Sequence, residues 1–238
     1  MRVVISQPMY FPWVGLLEQM KLADIFVFYD DVQFVKGSLF NRVQVKTQNG
    51  SRWLTVPLRE RNLSKKINET ILDRDQAWQS KQLAVLQNAY RRTSFFGDML
   101  NMFNKVLSVD HANLAELSVS SMMALAEYFS LTSNTIILRS SELVIDGSSS
   151  RRVFDICKHL GATEYITGHG AVNYLDHSLF EKAGIQVRYM RYEKLAYTQQ
   201  HGDFTPFVSG LDLVANCGLA GVKYICSDSV PWNIHRSI

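Results

Sequence analysis

The chain has 238 residues, 47 % apolar and 20 % charged, with a formal net charge of +3. This suffices for a full hydrophobic core and excludes a disordered chain, and the charge is too small to imply a nucleic-acid partner, although it does not oppose an anionic substrate. Three cysteines (Cys157, Cys217 and Cys226) lack CxxC spacing, and neither a signal peptide nor a run of ~18 apolar residues is seen, so the expectation is a cytoplasmic protein with reduced thiols, without disulfide framework, zinc site or transmembrane segment.

Val3 to Ile5 form a short apolar, β-branched run, the mark of a buried strand. The run ends at Gln7-Pro8. Pro12 and Gly15 then lead into a helical segment, Leu16 to Leu22. A second apolar run, Ile25 to Tyr29, ends in Asp30-Asp31. Strand, proline-rich turn, helix and strand predict a βαβ unit whose ligand sits beyond the strands' carboxyl ends. A polar cluster follows: Gln33, Lys36, Asn41, Arg42 and Lys46. Asn49-Gly50 between Val43–Lys46 and Trp53–Val56 predicts a hairpin closed by a type I′ turn, with positive φ at both central residues. Residues 59–69 read as a basic loop, and Thr70 to Leu72 as a short strand.

From Gln76 to Phe129 the period becomes helical. Trp78, Leu83, Leu86 and Tyr90 share one face. Met99, Met102, Phe103 and Leu107 share another. Leu114, Leu117, Met122, Leu125 and Phe129 share a third, with Asn113 or Asp110 as the start cap. Thr135 to Leu138 predicts a buried strand, residues 140–150 a serine-rich loop, and Arg151 to Leu160 a helix stopped by Gly161. Tyr165–Thr167 is a strand ending at Gly168-His169-Gly170. Tyr174 to Ala183 is a helix, Ile185 to Tyr189 a strand, and Val208 to Asn216 a helix closed by Gly218. The alternation predicts one α/β domain with a mostly parallel, Rossmann-like sheet and flanking helices. The β-hairpin (about 39–58) and the helical segment (about 76–130) are insertions into it.

Candidate chemistry lies at the strand ends. Gln7-Pro8 and Phe11-Pro12 stiffen the first turn. Gly15 allows close backbone approach to a ligand at a helix start. Tyr10, Phe11 and Trp13 are either stacking surfaces for a base or sugar, or packed aromatics. Asp30-Asp31 can act as general base, metal ligand or hydroxyl and amine holder, or as a turn cap. At most one of the two points into a site, because neighbouring strand residues face opposite ways. Asn41, Arg42 and Lys46 can clamp phosphate or carboxylate, or guard a hairpin edge. His169, on a βα loop, is a candidate acid–base group. GxGxxG, GxxxxGK[ST] and HExxH are absent, so dinucleotide, P-loop and zinc-hydrolase chemistry have no support.

The blocks QPMYFPWVGLLEQM, ADIFVFYDDVQF and NRVQVK resemble the start of the WbqC-like family. WLTVP, ILRSSEL, YITGHGAVNYLD, YTQ and FTPFVSGLDLVANCG resemble its later blocks, so nearly the whole chain is covered. The last block is softened relative to the family, although Asp212, Asn216 and Gly218 remain. The resemblance implies bacterial O-antigen and surface-polysaccharide biosynthesis, where nucleotide-activated amino sugars receive acyl groups. A second resemblance, in the first βαβ unit, is to the HUP class of pantoate–β-alanine ligases and class I aminoacyl-tRNA synthetases. Phe11, Pro12 and Trp13 stand where those enzymes carry ATP-binding histidines, which implies loss of adenylation.

The family context implies an amide-forming acyl- or aminoacyl-transferase acting on a nucleotide-linked amino sugar or similar amine. No cofactor is certain; an acyl thioester or carrier protein is the expected donor. Asp30, Asp31 and His169 are the candidate acid–base groups. Gln7, Gln33, Asn41, Arg42 and Lys46 would orient the substrate, and Tyr174, Tyr197, Gln199, Asp212 and Asn216 would complete the pocket. The alternatives are a metal-dependent nucleotidyl- or glycosyl-transferase and a non-catalytic sugar-binding protein.

Overall fold

The computed structural model describes residues 1–35, 37–59, 65–74 and 77–235. Lys36, Gln76 and residues 60–64 of the basic loop lie outside the described residues. The chain opens with β1 (Arg2–Ser6), α1 (Val14–Leu22) and β2 (Ile25–Phe28). A hairpin, β3 (Arg42–Thr47) and β4 (Gly50–Thr55), precedes three helices, α2 (Trp78–Tyr90), α3 (Phe96–Leu107) and α4 (Leu114–Tyr128). Next come β5 (Ile136–Arg139), α5 (Ser149–His159), β6 (Glu164–Thr167), α6 (His177–Lys182) and β7 (Gln186–Arg191). The chain ends in α7 (Gly210–Cys217), β8 (Asp228–Pro231) and α8 (Trp232–His235).

Six strands form one sheet in the order β5-β2-β1-β6-β7-β8, parallel except for β8. Winding starts at β1, runs outward through β2 to β5, then crosses to β6 on the other side of β1. This is the Rossmann-type order, and its reversal point lies between β1 and β6. The register aligns the carboxyl ends: Ser6 pairs with Phe28, Phe28 with Arg139, and Thr167 with Tyr189.

Both faces of the sheet are covered, which is why its strands are continuous apolar runs. Val4, Phe26, Phe28, Ile166 and Met190 enter one core with Leu17 of α1, Leu125 of α4 and Leu211 of α7. Val3, Ile5, Ile25, Val27, Tyr165 and Val187 enter a second core with Val153 and Phe154 of α5 and Phe180 of α6. The alternation along each strand decides which core a side chain joins. Burying one such side chain contributes about 1.5–3 kcal/mol.

Several expectations change. β5 is the sheet's edge, with Ile136 57 % exposed, not a buried strand. The hairpin turn is Gln48-Asn49, since Thr47 pairs with Gly50. Neither central residue has positive φ; Gly50, the first residue of β4, does, at 95°. Leu72 makes a single bridge to Leu58, and no strand forms over 70–72. Tyr174 ends a 3₁₀ turn over His169–Asn173, and α6 begins three residues later. Asn113, not Asp110, caps α4 by accepting from the Glu116 amide at 3.0 Å. Pro231 and a polar run hid β8, which pairs antiparallel with β7.

Candidate functional site

A cavity of about 950 Å³ opens at the carboxyl ends of the strands, where the winding reverses. Ser6 and Gln7 reach it from β1, Asp31 and Gln33 from the segment after β2, and Thr167, Gly168 and His169 from β6. Tyr192 follows β7, Trp13 and Gln19 come from the start and middle of α1, and Tyr174 from the turn after β6. Gly147, Ser148, Ser149 and Arg152 bring the first turn of α5 to the wall. Gly147 and Ser149 have φ of 111° and 52° and tighten the entry to that helix. A helix start with an arginine in its first turn suits an anionic group.

His169 Nε2 lies 2.6 Å from the Met190 carbonyl oxygen. A carbonyl only accepts, so Nε2 carries the proton and Nδ1 is the basic nitrogen of the neutral ring. Its ring also meets Tyr192 edge-on, with centroids 5.4 Å apart. Gln19 Nε2 donates to the Tyr192 hydroxyl at 2.8 Å. Burial pushes Tyr192 up to about 12, against the opposing Gln19 hydrogen bond. Tyr192 is therefore a neutral hydroxyl at neutral pH, able to accept from Gln19 while donating its own proton. A Cβ at Gly168 would approach the Tyr192 oxygen to 3.3 Å, so glycine lets these groups close up.

The two aspartates part ways. Asp30 is 1 % exposed and caps the 3₁₀ turn after β5, accepting from Ser140 Oγ at 3.2 Å, Ser141 N at 3.1 Å and Ser141 Oγ at 2.8 Å. It does not line the cavity. Asp31 does, but Arg152 takes both its oxygens, at 2.9 and 2.5 Å, and Ser140 Oγ donates at 2.5 Å. Burial alone would raise its pKa; the hydrogen bonds from Arg152 and Ser140 and the arginine's charge outweigh it and hold the carboxyl below the usual range. A carboxylate so engaged is a poor proton acceptor. With their oxygens taken, the pair is also poorly set to hold a divalent ion.

The proline-rich turn is sewn into the core. Tyr10 and Phe11 are fully buried, which decides for packed aromatics over stacking surfaces. Tyr10 Oη donates to Gln82 Oε1 at 2.9 Å, and the Phe11 ring stacks on Phe103 at 5.6 Å. Ser121 Oγ accepts from the Phe11 amide at 2.9 Å, and Ser209 Oγ donates to the Phe11 carbonyl at 2.8 Å. Those contacts hold Phe11 at a φ of 38°. Gly15 is approached by the Trp13 indole, not left open for a ligand: a Cβ there would lie 2.1 Å from the ring. Trp13 remains at the cavity wall, tilted against Tyr192 at 4.9 Å and Phe207 at 5.6 Å.

The remaining candidates stand elsewhere. Asn41 donates to the Val56 carbonyl at 2.8 Å, and it lines a different cavity together with Arg42. Lys46, Tyr197, Gln199, Asp212 and Asn216 form a polar network away from the strand ends. Tyr90 Oη and Tyr197 Oη each donate to Asp212 at 2.9 Å, and Asn216 Nδ2 donates to Asp212 at 2.8 and 3.2 Å. Lys46 Nζ donates to Gln199 Oε1 at 3.3 Å and to the carbonyls of Gly202 and Asp203. Asp212 is wholly buried, and this network clamps β3 and α2 to α7; none of its residues lines the strand-end cavity. The cavity thus gathers Gln7, Trp13, Asp31, Gln33, His169 and Tyr174. Sequence reasoning missed Gln19, Arg152 and Tyr192.

Residues 7–224 match the WbqC-like protein family. The uncharacterized protein Rv1507c of Mycobacterium tuberculosis is 30 % identical over 227 residues, covering 94 % of this chain and 97 % of its own. No solved structure matches. No helix among the described residues is long and apolar enough to cross a membrane.

Proposed function

The chain belongs to the WbqC-like protein family, and on that premise we propose that it is an amide-forming acyl- or aminoacyl-transferase acting on a nucleotide-linked amino sugar in bacterial surface-polysaccharide biosynthesis. The observation that carries this reading is His169. Its Nε2–H is tied to Met190 O on the wall of a cavity large enough for a nucleotide sugar, at the sheet's reversal point. The start of α5, with Ser148 and Ser149, would receive the diphosphate. Trp13 would pack against a ring.

In the reaction the sugar's amine nitrogen attacks the carbonyl carbon of a thioester. As the C–N bond forms, the amine proton passes to His169 Nδ1. The carbonyl oxygen becomes an oxyanion, which the neutral Tyr192 hydroxyl stabilises by donating a hydrogen bond. Collapse breaks the C–S bond, and the leaving thiolate takes the proton back from the imidazolium. The products are an amide and a free thiol, with no ATP consumed.

The test is a thermal-shift panel of uridine- and thymidine-diphosphate amino sugars, followed by mass spectrometry of mixtures with acetyl-coenzyme A. A bound ligand at ~100 times its dissociation constant stabilises by ~2.7 kcal/mol, an easily read shift. An acylated sugar, its formation slowed ~10²–10⁴-fold in His169→Ala, is the expected result. Binding without turnover across aminoacyl and acyl thioesters would favour the sugar-binding alternative. Full activity in His169→Ala would overturn the mechanism.

A further inference from the structure

A second cavity, of about 670 Å³, lies between the β3–β4 hairpin and α2, and the site above does not use it. Its walls carry three cations, Arg42, Arg52 and Lys81, and two indoles, Trp53 and Trp78. None of its described lining residues is acidic. The Arg42 guanidinium lies over the Trp53 ring at 4.5 Å and donates to the carbonyls of Gly37 and Ser38. It is thus a placed cation, not a swinging surface charge. Trp53 stays 41 % exposed, while Trp78 is nearly buried. Below them Gln82 accepts from Tyr10 and donates to the Thr55 carbonyl, so both ends of its amide are bonded.

A flat cation–indole pair beside two further cations suits a ligand with a planar ring and phosphates. The ring can stack on the Arg42–Trp53 pair, and the phosphates can meet Arg52 and Lys81. The two cavities are neighbours. Gln33 lines the first and Phe34 the second. Met9 and Trp13 of the first meet Arg42 and Trp53 of the second around a crevice of about 30 Å³.

We propose that this second cavity binds the nucleotide end of the acyl donor, a thioester whose thiol is carried on a phosphorylated nucleoside. The donor role rests on the transferase reading above; the binding of a nucleotide here does not. Each site then holds one reactant, and the two meet beside Trp13.

The experiment is isothermal titration of the full chain with coenzyme A and with adenosine 3′,5′-bisphosphate, alongside a diphosphate amino sugar. Wild type is compared with Arg52→Glu and Lys81→Glu, both exposed positions, and with Trp53→Ala; circular dichroism checks folding. Reversal of either charge is expected to weaken both adenine probes by about tenfold or more. Amino-sugar binding should not change. Raised salt should weaken the probes in wild type more than in the variants. The proposal is overturned if wild type binds neither probe at millimolar concentration. It is equally overturned if the three variants bind the probes normally while Arg152→Ala does not, because the nucleotide then sits in the first cavity. If the probes bind as expected but no amide forms with any donor, the site stands and the transferase reading falls.

Discussion

Arg152 holds Asp31 with both arms of its guanidinium, Nη1 to Oδ1 at 2.9 Å and Nη2 to Oδ2 at 2.5 Å, with the two side chains only 8 % and 13 % exposed. The pair joins the first turn of α5 to the segment after β2, across the cavity wall. Arg152→Ala leaves a nearly buried carboxylate with only Ser140, and is expected to cost about 3 kcal/mol in urea unfolding. The double variant Arg152→Ala/Asp31→Ala should recover part of that loss, since the stranded charge is gone. Equal losses in the single and double variants would refute a stranded-charge origin.

The same pair sets an acid limb. Asp31 has a lowered pKa in the folded chain. Above the ordinary aspartate value of about 3.9 the group is ionised folded and unfolded, and its stabilisation is complete. Below that value the unfolded chain protonates first, and the stabilisation is lost as pH falls through the lowered folded value. Melting temperatures of wild type and Asp31→Asn should differ by a constant amount above about pH 5 and converge in stronger acid. A gap that widens in acid contradicts the assignment.

Asp212 carries the opposite sign. Burial raises it, although hydrogen bonds from Tyr197, Tyr90 and Gln199 and the charge of Lys46 oppose the shift. Its contribution is present below the ordinary aspartate value and lost as pH rises through the raised folded value. Asp212→Ala strands two buried tyrosine hydroxyls and should cost about 2–4 kcal/mol in denaturant unfolding. Because the network lies apart from the strand ends, amino-sugar affinity of the folded variant should match wild type. A selective loss of affinity would return Asp212 to the site.

Tyr192→Phe removes the hydroxyl but keeps the ring against Trp13. It should lower kcat by about 10²-fold and leave KM for the amino sugar near wild type, as an oxyanion donor requires. Gln19→Leu is expected to lower kcat by a smaller factor, because Gln19 only positions that hydroxyl. Steady-state kinetics of both variants decide the point; a rise in KM alone in Tyr192→Phe would reassign it to binding.

Much of the fold was legible because its signals are local. Val3–Ile5, Ile25–Tyr29 and Tyr165–Thr167 are apolar runs between turn residues, and each is a central strand. Thr135–Leu138 has the same composition, yet its neighbours leave it at the edge, since burial depends on strand order and not on the run itself. The site was legible where strands end, at Gln7, Asp31 and His169. Arg152 and Tyr192 were not, because only the crossing from β5 to β6 brings α5 to the cavity wall, and β7 reaches that wall from beyond β6. Tyr10, Phe11 and Asp212 misled for a common reason: polar and aromatic residues in a marked block look alike whether they meet a ligand or each other.

The indole of Trp13 occupies the room that a side chain at position 15 would need. Two positions in the chain therefore share one volume. Gly15→Ala alone must evict the indole, unseating the wall that Tyr192 leans on, and should lower the melting temperature. In a Trp13→Ala background the same change should be tolerated. A lineage that widens this pocket must shed the tryptophan first; the glycine is free to drift only afterwards.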